Sequence, residues 1–203
     1  VPGRPPGHRR SIRLPKYDYT LPGAYFITIC TQDRSCLFGS IADGEMHPSP
    51  GGDMVRAIWE EVPSHYPGIR TDAFVVMPNH IHGVIVITPV GAGPCARPRT
   101  PWSPNRERPH ETGQSPTGQP QGVAPTMSLP DVVHRFKTLT TKRYADGVKQ
   151  HGWPPFPGRL WQRNYYEHIV RDERELALIC DYIEANPTRW AEDPENPSAE
   201  PSP

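Results

Sequence analysis

The stretch FVVMPNHIHGVIVI, residues 74–87, restricts what this chain can fold into more than any other. It contains two apolar, β-branched runs, 74–77 and 81–87, joined by the turn residues Pro78 and Asn79, which is the pattern of two tightly connected strands. Side chains alternate faces along a strand, so the spacing His80-Ile81-His82 places both imidazoles on one side and the isoleucine on the other. Two histidines on one face are half of a metal site. A motif of three residues recurs by chance, and two polar residues on a solvated sheet face are the competing reading, so the surrounding chain has to decide.

That chain is uneven. With 35% hydrophobic residues and 28 prolines among 203, there is too little apolar material for all of it to pack, and one domain with non-globular additions is expected. Residues 1–16 form a Pro/Gly/Arg-rich arm in which Arg4, Arg9, Arg10, Arg13 and Lys16 concentrate positive charge. A single domain is expected over residues 17–190, interrupted from about 89 to 127 by a Pro-rich insertion without any amphipathic period, read as disordered. Residues 191–203 read as an acidic, disordered tail. Formal net charge is zero, so charge alone selects no class of partner. The four cysteines form no C-x-x-C pair, and Cys30 and Cys180 lie in apolar patterns as reduced thiols. No signal peptide is evident and no apolar run approaches the ~20 residues that span a bilayer, so a soluble cytoplasmic protein is expected.

Within the domain, AYFITICT (24–31) reads as the first strand, and Leu37-Phe38-Gly39 leads into a turn or a short second strand. Met54, Val55, Ile58, Trp59 and Val62 have helical spacing, with Asp53 as the expected N-cap and Pro63 or Pro67 as the stop. Ser128 is placed to cap a helix bearing Leu129, Val132, Val133, Phe136 and Leu139. The other side of that helix carries Arg135, Lys137, Lys142 and Arg143. It is followed by LWQRNYYEHIVR, where Trp161, Tyr165 and Tyr166 interleave with Arg163, His168 and Arg171. Cations for phosphates beside planar rings for unstacked bases suit single-stranded nucleic acid, against the plainer reading of a packed aromatic loop.

A last helix begins at Asp172, with Glu175 as its capping-box partner, and closes at Asn186 before Pro187. Its apolar stripe is Leu176, Ile179, Cys180 and Ile183. Tyr182 and Asn186, four apart, lie together on one edge of that stripe. If this helix docks on the histidine face, Asn186 supplies a third ligand oxygen and Tyr182 a hydroxyl beside the metal. Two imidazoles and an amide oxygen, completed by water or phosphate oxygens, suit Mg²⁺ or Mn²⁺.

Four blocks in this order, PKYDY with GAYFITICT, MPNHIHGV, LWQRNYYEHIVRDERE and DYIEANP, resemble the HUH superfamily of single-tyrosine nucleases, and within it the REP-associated tyrosine transposases. The resemblance runs from about Arg13 to Trp190. It implies an α+β, ferredoxin-like fold whose central antiparallel sheet carries the histidines. By position it implies that His80 and His82 bind the metal, that Tyr182 is the nucleophile, and that Asn186 completes the metal site where many insertion-sequence relatives carry Gln. The implied activity is cleavage and rejoining of single-stranded DNA next to a hairpin, through a 5′-phosphotyrosine and a free 3′-OH. Insertion-sequence relatives act as dimers, which makes a homodimer a candidate state. Arg135, Lys137, Lys142, Arg143, Trp161, Gln162, Arg163, Tyr165 and Tyr166, with the basic arm, are the expected DNA contacts.

Other readings stand beside this one. Tyr165 and Tyr166 are rival nucleophiles, and His168 a rival ligand. A non-catalytic hairpin-binding protein and a hydrolase of small phosphodiesters are rival functions.

Overall fold

The protein is described by a computed structural model over residues 17–89 and 127–199. The basic arm, the body of the Pro-rich insertion with Cys95 and His110, and the last residues of the tail lie outside the described residues.

The chain runs β1 (Gly23–Cys30), β2 (Gly39–Ala42), β3 (Glu45–Pro48), α1 (Pro50–His65), β4 (Ile69–Val76), β5 (His80–Ile87), α2 (Leu129–His151), β6 (Tyr166–Val170) and α3 (Glu173–Ala185), with short 3₁₀ turns at Gln32–Arg34 and Pro187–Glu192. Four strands pair antiparallel in the order β4-β5-β1-β6, and β2 with β3 form a separate hairpin. Setting that hairpin aside, the succession strand, helix, two strands, helix, strand is the ferredoxin-like arrangement expected from sequence.

Alternation along the central strands splits the core in two. Tyr25, Ile27 and Ile29 of β1 and Ile81, Ile85 and Ile87 of β5 face the layer built by α1 and α2, where Val55, Ile58, Trp59, Val132, Val133 and Phe136 are buried. Phe26, Val84 and Val170 face the other way, onto Leu176, Ile179 and Ile183 of α3. Gly83 marks how closely the first layer sits: a Cβ there would lie 2.6 Å from the Trp59 ring, which stacks on Phe74. Any larger residue after the second histidine would lift α1 from the sheet.

Several local expectations are corrected. Ser49, not Asp53, caps α1: its Oγ accepts from the Gly52 amide, and Pro50 starts the helix, where a missing N–H costs nothing. Pro63 lies inside the last turn of α1 instead of ending it. The β2–β3 hairpin turns at Asp43-Gly44, both at positive φ, a dipeptide that signals such a turn in sequence. Ser128 caps α2 as expected, in a reciprocal capping box with Asp131. Asp172 caps α3, but the Glu175 carboxylate turns to the Arg171 amide and to His168. The tail does not leave the domain at Trp190. Residues up to 199 are placed, because Asp193 is buried against His80, Glu195 pairs with Arg34, and the Asn196 amide bonds the Trp190 carbonyl. Among the described residues no helix is long and apolar enough to cross a membrane. Cys30, Cys36 and Cys180 are free thiols.

Candidate metal and nucleophile site

His80 opens β5 and His82 follows on the same face, opposite Cys30 and Thr28 of β1. Both imidazoles are buried. Each has its Nδ1 occupied. The Asn79 side chain donates through Nδ2 to the carbonyls of Arg34 (3.2 Å) and Glu195 (2.6 Å), which fixes its orientation and leaves Oδ1 facing His80 Nδ1 at 2.8 Å. An amide oxygen only accepts, so His80 carries its proton on Nδ1 and presents a lone pair at Nε2. The Thr28 hydroxyl lies 2.8 Å from His82 Nδ1 and can accept a hydrogen bond from a protonated Nδ1 in the same way.

The two Nε2 atoms are 3.0 Å apart. Two ligands at right angles on one ion, each at about 2.1 Å, would be about 3.0 Å apart. Burial, with the neighbouring imidazole second, pushes the His80 pKa down to about 2, and burial pushes His82 down to about 4. Both rings are therefore neutral near physiological pH, the state in which histidine binds metals.

Helix α3 docks on this face, as its stripe requires. Phe26 is the floor: His82 stacks on it at 5.5 Å between centroids and Tyr182 meets it edge-on at 6.1 Å. The Tyr182 hydroxyl is 3.5 Å from His82 Nε2. Burial, then the charge of Asp193, push the Tyr182 phenol above its usual range, and a hydrogen bond from Asn186 works against them. Asn186 is buried, and its Oδ1 has no hydrogen-bond partner. An orphaned buried carbonyl oxygen is costly unless something positive occupies the space before it.

One member of the cluster escaped the sequence reading. Asp193 is buried with Oδ2 3.7 Å from His80 Nε2, and His80, His82 and Asp193 offer ligand atoms all within 4.8 Å of one another. A neutral imidazole forms no ion pair with it, and burial raises the Asp193 carboxyl. Its signal was hidden because it follows the last helix, in a segment whose composition reads as a solvated tail. Two imidazoles, one carboxylate and one unsatisfied amide oxygen form a donor set that fits a divalent cation.

The expected nucleic-acid contacts divide. Arg135, Lys142, Arg163 and Tyr166 are exposed, and Gln162 is half-buried. Trp161 and Tyr165 are buried instead of forming a stacking platform. Trp161 Nε1 donates to Thr140 Oγ1 at 2.8 Å, and its ring packs on Phe38 and Phe136. Lys137 points its ammonium at the carbonyls of Gln162, Arg163 and Asn164 and over the Tyr165 ring. Arg143 holds Glu61 of α1 through two bonds of 3.0 and 2.7 Å. Of the rivals, Tyr165 is buried away from solvent, and His168 is bonded to Glu175 at 2.7 Å, outside the His80/His82/Asp193 cluster.

No protein-family model matches the chain. A protein of Haemophilus influenzae with no assigned function is 39% identical over 186 residues, covering 92% of both chains. A second H. influenzae protein, provisionally named a REP-associated tyrosine transposase, is 25% identical over 175 residues, covering 85% of this chain and 74% of its own. Among solved structures, a REP-associated tyrosine transposase bound to a REP hairpin superimposes with a TM-score of 0.51 at 17% identity, over 90% of this chain and 81% of that one, and so shares the fold.

Proposed function

We propose, from its similarity to REP-associated tyrosine transposases, that this chain cleaves and rejoins single-stranded DNA beside a hairpin, with Tyr182 as the nucleophile. The observation that carries this reading is the Tyr182 hydroxyl 3.5 Å from His82 Nε2, which is itself 3.0 Å from His80 Nε2. His80, His82, Asn186 and Asp193 are the residues that would hold Mg²⁺ or Mn²⁺. Such an ion, when bound, offsets the charge that builds on the phosphate oxygens.

The chain's own groups do the rest. Thr28 and Asn79 hold the two imidazoles by Nδ1, keeping the metal-facing nitrogens free of protons. Phe26 and the docking of α3 hold the phenol beside them. Attack forms a bond from the Tyr182 oxygen to phosphorus and breaks the bond from phosphorus to the 3′-oxygen. The phenolic proton ends on the released 3′-OH, leaving a 5′-phosphotyrosine. The phosphodiester energy stays in that linkage, so a 3′-OH can reverse the attack and join strands without another energy source.

The test is incubation with Mn²⁺ and a labelled single-stranded hairpin taken from repeats beside the gene. The expected result is a denaturation-resistant protein–DNA band that disappears with EDTA and in Tyr182→Phe, while that variant keeps its hairpin affinity. An adduct persisting in Tyr182→Phe would overturn the assignment of the nucleophile.

A further inference from the structure

Half of the candidate metal site comes from the sheet and half from one short stretch of chain. His80 and His82 lie on β5, whereas Asn186 and Asp193 flank the 3₁₀ turn Pro187–Glu192, Asn186 as its N-cap and Asp193 as its C-cap. The stretch is one unit with a candidate ligand at each end. Its own bonds keep it so: the amides of Arg189, Asp193 and Asn196 donate to the carbonyls of Asn186, Trp190 and Asp193 at 3.1, 3.2 and 2.9 Å.

Little apolar surface fastens this unit to the sheet. Helix α3 before it is anchored by Leu176, Ile179 and Ile183 against Phe26 and Val84. In the turn that follows no residue is buried, and Trp190 is half-buried with its ring tilted on His80 at 6.0 Å between centroids. The other ties are polar. Asn79 Nδ2 donates to the Glu195 carbonyl, and Arg34 pairs with the Glu195 carboxylate at 3.0 Å where water competes for both groups. A segment held in this way opens locally at low cost while the core around it stays folded.

Where the unit meets the histidines, acceptor faces acceptor. Asp193 Oδ2 lies 3.7 Å from His80 Nε2, and these two atoms with His82 Nε2 are all within 4.8 Å of one another. Asn186 Oδ1 is buried without a hydrogen-bond partner. Carboxylate oxygens, amide oxygens and unprotonated ring nitrogens present lone pairs, so the approach of the segment is repulsive by itself and becomes attractive around a cation.

We propose that residues 186–196 form a clasp that closes on the histidine face when a divalent cation is held there and opens more often when it is not, which rests on the metal-site reading above. Opening carries Asp193 and Trp190 off His80 and gives an ion a path to the two imidazoles. Closing adds the carboxylate and the amide oxygen to the pair. Loading of the site and ordering of the C-terminal segment are then one event.

Hydrogen exchange of the full chain, read by mass spectrometry in EDTA and in Mn²⁺, follows the clasp, and calorimetry on the same samples reads Mn²⁺ binding. With free Mn²⁺ at 100 times its Kd, peptides covering residues 187–199 are expected to exchange at least about tenfold more slowly than in EDTA, below the about 100-fold limit for an ion that binds only the closed form. The amides of α2 should not respond. Asp193→Asn replaces an acceptor by a group that can donate to His80 Nε2, so its tail is expected to exchange slowly already in EDTA and to respond little to Mn²⁺. Mn²⁺ binding with equal tail exchange in both conditions would overturn the clasp and leave the metal site standing. Absence of Mn²⁺ binding would overturn the metal site and the clasp with it. An Asp193→Asn tail that exchanges in EDTA as fast as the parent's would overturn the facing acceptors as the cause of opening.

Discussion

The hydroxyl of Tyr182 and Nε2 of His82 lie 3.5 Å apart although 100 residues separate them in the chain. Neither position is held by its own element alone. His82 is held by Thr28 on the neighbouring strand, and Tyr182 by the packing of α3 across Phe26.

Removing the outer support should weaken the metal site. Thr28→Val keeps the shape of the buried side chain and deletes only the oxygen that faces His82 Nδ1. Mn²⁺ affinity, read by calorimetry, is expected to fall by about 10- to 100-fold, and the buried His82 Nδ1 left without a partner is expected to cost about 1–3 kcal/mol of stability. Unchanged affinity would show that Thr28 does not orient the ring.

Asn186 offers the complementary case. Its Oδ1 makes no hydrogen bond in the protein, so removing the side chain takes a hydrogen bond only from the Tyr182 phenol. Asn186→Ala is expected to leave a cavity costing about 1 kcal/mol of stability and to lower Mn²⁺ affinity at least about tenfold. Affinity equal to that of the parent protein would remove Asn186 from the ligand set.

Without metal, the buried histidines should make the protein acid-sensitive in a defined window. Their pKa values are pushed down to about 2 and about 4, so as pH falls below about 6.5 the unfolded chain takes up protons that the folded chain refuses. Stability then declines as pH falls, by about 2 kcal/mol per histidine between about pH 6.5 and 5. The facing titratable groups are Asp193 and Tyr182. The raised Asp193 carboxyl acts in the opposite sense at lower pH, and the Tyr182 phenol, raised from an already alkaline value, stays protonated throughout. Urea unfolding in EDTA across this window measures the slope. His80→Gln/His82→Gln should flatten it, and an unaltered slope would refute the account.

The residues expected to touch DNA should separate by burial. Trp161→Ala is expected to cost about 3–5 kcal/mol, since it empties a core position and strands the Thr140 contact. Arg143→Ala breaks an exposed ion pair with Glu61 and is expected to cost no more than about 1 kcal/mol. Denaturant midpoints check both; a Trp161→Ala variant as stable as the parent would place that ring outside the core.

The sequence by itself determined the strand pair around His80 and His82, because period-two alternation with a Pro-Asn turn admits few other structures. It also determined that Tyr182 and Asn186 share a helix edge, since helical spacing is local. Capping at Ser128 and Asp172 was legible for the same reason. The Asp43-Gly44 turn and Ser49 were equally local signals that composition-level reading passed over. What only the tertiary structure decided is everything that depends on which face meets which. Aromatic and basic residues around 161–165 read alike whether they stack on bases or on a core. The docking of that loop against α2 buries Trp161 and Tyr165 and turns Lys137 inward. Asp193 reads as one more acid in a polar tail. It becomes part of the site only because Asn79 and Arg34, far away in sequence, hold that tail across the histidines. Periodicity reports the direction of a side chain relative to its own backbone. Its neighbours are set by packing between elements, where contacts distant in the chain compete for the same buried surface.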